Sequence, residues 1–198
     1  KRQVYTSTYG CGDVTSNSIL INVLPDYEMP TLTPSISGDI CYGSDLTVTA
    51  EDFVNHPWLE YQWFEYSSSG SSSEVGDGSL SVSFSSLAED FSVSLDVTST
   101  YDCGTLSTPV LSLNVLDELV APVIDDNING QPICYDTSPG VLNVVTPATG
   151  GSADFTYVWE NISSQEEIGS GVSVLVDNLT SDQTYDCTAI DALCGSIV

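Results

Sequence analysis

The sequence predicts an all-β protein built from tandem antiparallel β-sandwich repeats, and three observations favour this class. Apolar and polar residues alternate with a period of two over segments 46–50, 80–84, 91–97 and 110–115, which is typical of strands that bury one face. A set of sequence anchors recurs along the chain at a nearly constant spacing. No segment shows a sustained helical period with capping residues.

The internal repeat has a spacing of about 92 residues and sets the size of the unit. Residues 7–12 (STYGCG) recur as residues 99–104 (STYDCG). The other anchors follow in the same order: 22–24 as 114–116, 40–42 as 133–135, 61–63 as 157–159, and 103–104 as 194–195. We therefore expect residues 1–24 to be the C-terminal strands of a preceding repeat, residues 25–116 a complete repeat, and residues 117–198 a repeat lacking its last strand.

Each unit is predicted to be an immunoglobulin-like sandwich, because short strands separated by Ser- and Gly-rich turns in a unit of this size favour that fold. Trp63 and Trp159 occupy equivalent aromatic strands. Each lies downstream of the first cysteine of its unit, as a core tryptophan does. We expect both to be packing residues and not a sugar-binding platform.

The charge of the chain excludes several classes of partner. Its 28 acidic residues are balanced by only two basic residues, Lys1 and Arg2, which gives a formal net charge of −26. Nothing beyond residue 2 can neutralise a phosphate, so we expect no nucleic acid partner and no direct membrane contact. Ion pairs cannot stabilise the folded units, and burial, backbone ladders and disulfides must do so.

The six cysteines indicate disulfides and an oxidising compartment, since no C-x-x-C spacing is present and His56 is the sole histidine. Cys41 and Cys103 are the only cysteines of the complete unit and are predicted to pair. The repeat then predicts a Cys134–Cys194 bond. Cys11 and Cys187 are expected to be unpaired or paired outside this sequence. Cys134–Cys187 is the rival pairing, because the context of Cys187 resembles the Tyr-x-Cys of an immunoglobulin strand.

Catalytic chemistry finds little support in the sequence. His56 has no second base and no Gly-x-Ser-x-Gly motif to act with, so it is interpreted as a loop residue. Carboxylates at the boundary between the units make weak calcium candidates, namely Asp117, Glu118, Asp125 and Asp126. Without an Asp-x-Asp-x-Asp loop, solvated acidic linkers are the preferred interpretation, and no cofactor is expected. Asn161 and Asn178 begin sequons for N-glycosylation.

A family resemblance rests on five segments of the complete unit. Residues 40–44 (ICYGS), 46–48, 61–63, 100–104 (TYDCG) and 113–115 resemble the Ig-like and PKD-like tandem repeats of giant Bacteroidota surface proteins. The resemblance implies a cell-surface adhesin exported by the type 9 system, of which the gliding-motility adhesins of the SprB type are an example. It also implies Thr137 as a candidate for O-glycosylation, because residues 136–138 are close to the pattern used by that group.

The leading functional hypothesis is a non-catalytic one. The repeats are expected to be structural spacers of a long extracellular adhesin or filament, which project a binding tip from the cell surface. Their partners would be neighbouring repeats of the same chain, with a surface or glycan ligand bound elsewhere in the protein. Two alternatives stay open: a carbohydrate- or partner-binding module that uses Trp58, Tyr66 or Tyr27, and accessory domains of a secreted hydrolase.

Overall fold

The structure, a computed structural model, describes residues 3–4, 14–67 and 69–198, with side chains described from residue 16 onward. Every regular element in this part of the chain is a β-strand, which confirms the predicted all-β class. None of the described residues form a helix that is long and apolar enough to cross a membrane. At the start of the chain β1 (Gln3–Val4) and β2 (Val14–Thr15) form an antiparallel pair.

The first sandwich consists of eight strands in two antiparallel sheets. In chain order these are β3 (Thr31–Pro34), β4 (Leu46–Glu51), β5 (Leu59–Ser67), β6 (Ser72–Val75), β7 (Ser81–Phe84), β8 (Phe91–Ser99), β9 (Thr105–Ser107) and β10 (Leu111–Leu113). One sheet has the order β3-β4-β7 and the other β10-β8-β5-β6, with β9 also pairing with β8. The chain crosses from one sheet to the other between β4 and β5, between β6 and β7, and between β7 and β8, which is the Greek-key arrangement of an immunoglobulin-like sandwich.

The second sandwich repeats this arrangement. Its strands are β11 (Val123–Asp125), β12 (Gly140–Thr146), β13 (Phe155–Asn161), β14 (Glu166–Ser170), β15 (Ser173–Val176), β16 (Tyr185–Asp191) and β17 (Gly195–Ile197). The sheets have the orders β11-β12-β15 and β14-β13-β16-β17. Each strand therefore has its counterpart in the first sandwich up to β17, which corresponds to β9. In the described residues no strand takes the place of β10 beside β16.

The buried residues form two separate cores, one in each sandwich. Trp63 and Trp159 are fully buried at the centres of these cores, which confirms their prediction as packing residues. Each indole Nε1–H donates to a backbone carbonyl, that of Ser79 or of Gly171, at 2.9 Å in both cases. The two sandwiches therefore have the same arrangement at the centre of the core, a buried indole ring whose N–H is hydrogen-bonded to a backbone carbonyl.

Each sandwich has two ends, which are named here by the direction of β8 and β16. The lower end is where these strands begin, at Phe91 and Tyr185. The upper end is where they finish, at Ser99 and Asp191, and the turn to the next strand lies there. The chain leaves the first sandwich at its lower end, because Val115 forms a bridge with Ile40 and its N–H donates to the Asp90 carboxylate just before β8.

Candidate functional site: the junction between the sandwiches

A disulfide joins the two sandwiches. Cys41 and Cys194 form this bond with a Cα–Cα distance of 5.5 Å and a sequence separation of 153 residues. Cys41 lies at the lower end of the first sandwich, one residue after the Ile40–Val115 bridge. Cys194 lies in the turn between β16 and β17, at the upper end of the second sandwich. The bond therefore fixes the lower end of one unit against the upper end of the next.

The predicted Cys41–Cys103 pairing is wrong, because these cysteines lie at opposite ends of the first sandwich. Cys41 is close to the start of β8, since the N–H of Gly43 donates to the carbonyl of Leu87 at 2.6 Å. Cys103 follows the end of β8, and nine strand residues separate the two ends, a span of about 25 Å. Disulfides need Cα atoms within roughly 7 Å, so the two thiols cannot meet.

The predicted Cys134–Cys194 bond and its rival Cys134–Cys187 are also wrong. Cys194 is bonded to Cys41, whereas Cys103, Cys134 and Cys187 carry free thiols. Cys187 is a core residue, 4% exposed, and lies directly across from Trp159 in the sheet. Leu95 holds the same position across from Trp63. Cys187 thus fills the core and is not placed to bond a partner outside it. Cys11 lies outside the described residues.

The environment of Cys187 suppresses its reactivity. Burial raises the pKa of the Cys187 thiol, and the negative charge of Asp186 raises that pKa further. One carboxylate oxygen of Asp186 is itself buried without a hydrogen-bond partner. A thiol reacts as its thiolate, so a raised pKa and a buried position make it inert.

The chain between the sandwiches is hydrogen-bonded to the upper end of the second one. Val120 and Thr149 form an antiparallel bridge, with N–H···O distances of 2.9 and 3.2 Å. The N–H of Gly151 donates to the carbonyl of Asp117 at 2.9 Å. The linker therefore runs beside the loop between β12 and β13 and is joined to it by three backbone hydrogen bonds.

Two glycines permit this close approach. Gly150 and Gly151 have φ values of +85° and +54°, in the region that favours glycine. A Cβ atom at Gly150 would overlap the carbonyl oxygen of Glu118, and one at Gly151 would lie 2.8 Å from the carboxylate of Asp191. Any side chain here would push the linker away from the second sandwich.

Asp191 ties the bonded cysteine to the same loop. This carboxylate is 3% exposed. One of its oxygens accepts from the N–H groups of Leu193 and Cys194 at 3.0 and 2.7 Å. The other accepts from the N–H and the hydroxyl of Ser152, both at 2.9 Å. Burial raises the pKa of Asp191, but these hydrogen bonds outweigh it and hold the pKa below its usual range.

The calcium candidates do not converge on a site. Asp125 and Asp126 each accept a local backbone hydrogen bond, from the N–H groups of Asn127 and Ile128 at 3.3 and 3.0 Å. Asp117 contributes its backbone carbonyl to the junction. Throughout the described part of the chain, no three His, Cys, Asp or Glu side chains are grouped to hold a metal ion. The structure thus does not gather Asp117, Glu118, Asp125 and Asp126 around one point.

The glycosylation candidates differ in accessibility. Thr137 and Asn178 are exposed. Asn161 is half-buried, and its Nδ2 donates to the Oε1 of Gln183 at 2.9 Å while its Oδ1 accepts from Ser163 and Ser164. Modification of Asn161 would break that set of bonds, and the three sites stay predictions.

The aromatic residues considered for ligand binding lie in two separate places. Tyr27 and Trp58 pack edge to face with ring centroids 5.6 Å apart. His56 stacks on Trp58 at 4.9 Å and thereby covers one face of the indole. Tyr66 lies on β5, where its hydroxyl is 3.2 Å from Ser94. The structure does not unite the three aromatics in one platform, and it places His56 in a loop, as the sequence predicted.

A cavity of about 520 Å³ opens beside Cys134. It is lined by the segment before β12, including Ile133 and Cys134, and by Leu142, Leu179 and Tyr185. In the first sandwich the corresponding place beside the start of β8 is filled by β10, which pairs with residues 91–93. The cavity thus lies where the first sandwich has β10 paired with β8.

The chain matches no protein-family model and no curated protein. Three solved structures with a distant likeness are the three N-terminal domains of the bacteriophage RB49 outer capsid protein Hoc, the fibronectin(III)-like modules of Clostridium thermocellum CbhA, and immunoglobulin domains 1–5 of sidekick-1. Their identities are 13%, 13% and 12%, and their TM-scores 0.42, 0.38 and 0.38. The matches cover 83%, 86% and 85% of this chain and 54%, 90% and 36% of those chains.

This chain therefore spans about half the length of the Hoc structure. Identities and TM-scores this low are too distant to transfer a function. The immunoglobulin-like architecture of this protein follows from its own strand order.

The junction was missed by the sequence analysis, although one signal for it was present. Cysteines that link the two sheets of an immunoglobulin domain lie within strands. Cys41 precedes the first residue of the predicted strand 46–50, and Cys103 follows the strand 91–97 by several residues. Cysteines at strand ends, one at the start and one at the finish of the unit, are placed to reach a neighbouring unit.

Proposed function

We propose that this protein is a non-catalytic spacer of a long extracellular adhesin or filament, in which immunoglobulin-like repeats are joined end to end and project a binding tip from the cell surface. The Cys41–Cys194 disulfide is the observation that supports this most directly. It joins consecutive units at their ends, as a spacer requires, and it is typical of oxidising compartments outside the cytoplasm.

The path of a pulling force gives this proposal a mechanical form. Tension applied to the two termini passes from residue 41 through the disulfide to residue 194, because these are the first covalently linked points from either side. The 153-residue separation encloses strands β4 to β16 and every buried core residue except Ile40. These strands are thus shielded from tension as long as the disulfide is intact, whereas β3 and β17 lie outside the loop.

The resemblance to Bacteroidota surface repeats extends the proposal to a role in adhesion and gliding motility, with the ligand bound by a tip elsewhere in the protein. The acidic surface suits it, because a net charge of −26 keeps neighbouring chains apart. The alternative of a carbohydrate-binding module has less support, since His56 covers one face of Trp58 and Tyr66 lies elsewhere.

Single-molecule stretching between the two termini tests the spacer proposal. Under oxidising conditions we expect no unfolding step from the enclosed strands, β4 to β16. After reduction, both cores should unfold and release a contour length of about 500 Å, at roughly 3.3 Å for each of the 153 residues. A Cys103→Ser/Cys134→Ser chain, which keeps the Cys41–Cys194 bond, is the matched control and should behave like the unaltered protein. Unfolding of the cores without reduction would refute the proposal.

A further inference from the structure

Two exposed free cysteines repeat the positions of the two bonded ones. Cys103 and Cys134 are exposed and carry free thiols. In the repeat Cys103 corresponds to Cys194, because both belong to the recurring Cys-Gly anchor. Cys134 corresponds to Cys41 within the shared Ile-Cys-Tyr segment. Each free cysteine is therefore the counterpart of one half of the observed disulfide.

The turn after Cys134 reproduces the turn after Cys41 in backbone detail. The second residue after each cysteine has a left-handed φ, +77° at Gly43 and +58° at Asp136. The N–H of Gly43 donates to Leu87 at 2.6 Å, and the N–H of Asp136 donates to Leu179 at 2.8 Å. Asp136 keeps this geometry although it is not a glycine.

A second pair of hydrogen bonds agrees as well. The N–H of Leu87 donates to Ser44 at 3.0 Å, and the N–H of Leu179 donates to Thr137 at 3.1 Å. These two hydrogen bonds are thus kept although Asp replaces Gly in the turn. Cys134 lies at the lower end of the second sandwich, as Cys41 lies at the lower end of the first.

Cys103 matches Cys194 at the other end of the unit. It follows β8 in the turn to β9, as Cys194 follows β16 in the turn to β17. The next residue has a positive φ in both turns, +113° at Gly104 and +94° at Gly195. Cys103 therefore lies at the upper end of the first sandwich, where a preceding unit would end.

We propose that the Cys41–Cys194 bond is one member of a series of inter-repeat disulfides, in which Cys134 bonds the Cys103-type cysteine of the following repeat and Cys103 bonds the Cys134-type cysteine of the preceding repeat of the same chain. Both partners are other copies of this repeat. Every repeat then uses a lower-end and an upper-end cysteine, and each unit is bonded to both neighbours.

The bond forms by thiol–disulfide exchange with a small-molecule disulfide such as glutathione disulfide. The Cys103 thiolate attacks one oxidant sulfur, releases one glutathione thiolate and leaves a mixed disulfide. The thiolate of the partner cysteine attacks the protein sulfur of that mixed disulfide and releases the second glutathione thiolate. The two protons of the cysteine thiols end on the two released glutathione thiols, and the oxidant is reduced as the cysteines are oxidised.

This inference rests on the proposed spacer function only in requiring further repeats, and its test is separate. Successive staples would overlap, because the bond from Cys41 to Cys194 encloses both Cys103 and Cys134. A force would then have to break two bonds to extend any one unit. The spacer proposal needs only the Cys41–Cys194 bond and survives if the series does not exist.

The test uses a tandem chain in which residues 1–198 are followed directly by a second copy of residues 16–198. This fusion keeps the repeat in register, because Val198 corresponds to Thr15 when Cys194-Gly195 is aligned with Cys11-Gly12. Cys103→Ser in the first copy and Cys134→Ser in the second leave Cys134 facing Cys103 across the new junction. Oxidation with glutathione disulfide should join these two cysteines, with loss of alkylation at both and a mass decrease of two hydrogen atoms.

The matched control is the mirror variant, with Cys134→Ser in the first copy and Cys103→Ser in the second. It has the same composition but leaves its Cys103 and Cys134 at the two outer units, and both should stay open to alkylation. The Cys41–Cys194 bond in each copy reports that both copies have folded. A free Cys134 in the facing variant, equal bonding in both variants, or a bonding rate that rises with protein concentration would each overturn the proposal.

Discussion

Replacement of Cys194 by Ser should destabilise the second sandwich, whereas replacement of Cys103 should leave both sandwiches unchanged. The second result separates the observed pairing from the predicted Cys41–Cys103 bond, which would stabilise the first sandwich. In the folded first sandwich, Ile40 bridges Val115, so Cys41 is anchored beside the point where the chain leaves. When the second sandwich unfolds in the bonded protein, the disulfide therefore holds its chain as a closed loop of about 78 residues, from Leu116 to Cys194. The chain-entropy relation gives about 4.5 kcal/mol for a loop of that length.

Cys194→Ser should thus lower the free energy of unfolding of the second sandwich by up to about 4.5 kcal/mol, measured by urea denaturation under oxidising conditions. Cys103→Ser removes an exposed free thiol and should change the free energy of unfolding of either sandwich by no more than about 0.5 kcal/mol. A reducing agent should bring the unaltered protein to the stability of Cys194→Ser. A loss of stability of the first sandwich in Cys103→Ser, as large as that of the second sandwich in Cys194→Ser, would refute the reasoning and restore the Cys41–Cys103 pairing.

Three further predictions concern the same junction and core. Gly150→Ala should destabilise the second sandwich more than Gly171→Ala in urea titrations. Both glycines have a positive φ, which costs an alanine roughly 1–2 kcal/mol, but only at Gly150 would the new Cβ also overlap the carbonyl oxygen of Glu118. Folding lowers the pKa of Asp191, so this carboxylate stabilises the fold at pH values above its ordinary pKa of 3.8. The stabilisation is lost as the pH falls through the lower pKa of the folded state. Asp191→Asn should remove that part of the pH dependence of the free energy of unfolding, whereas replacement of the exposed Asp182 by Asn should not. Iodoacetamide should label Cys103 and Cys134 in the folded protein and spare Cys187, and rapid labelling of Cys187 would contradict its place in the core. Cys187→Ser should lower the free energy of unfolding by about 1–3 kcal/mol, because it buries an unpaired hydroxyl.

The sequence predicted what depends on periodicity and burial. Alternation located β4 and β8 because their apolar side chains face a core, and the repeated aromatic strands located Trp63 and Trp159 for the same reason. These properties are local to a strand and can be read in a single unit.

The pairing of the cysteines could not be read in the same way, because it depends on which end of a sandwich each residue occupies. Counting cysteines within one unit paired Cys41 with Cys103, although β8 holds them about 25 Å apart. The contribution of Asp191 was hidden for a related reason: in so acidic a chain, one carboxylate among 28 acidic residues gives no sign that four hydrogen bonds converge on it.

A disulfide map of the folded, unreduced protein tests the central claim most directly. Trypsin cannot be used, because Lys1 and Arg2 are the only basic residues, but an endoproteinase that cleaves at Asp and Glu places each cysteine in a separate peptide. We predict one peptide pair that contains Cys41 and Cys194, with Cys103, Cys134 and Cys187 recovered as thiols. A pair that joins Cys41 to Cys103, or Cys134 to Cys194, would contradict the account of a covalently linked junction.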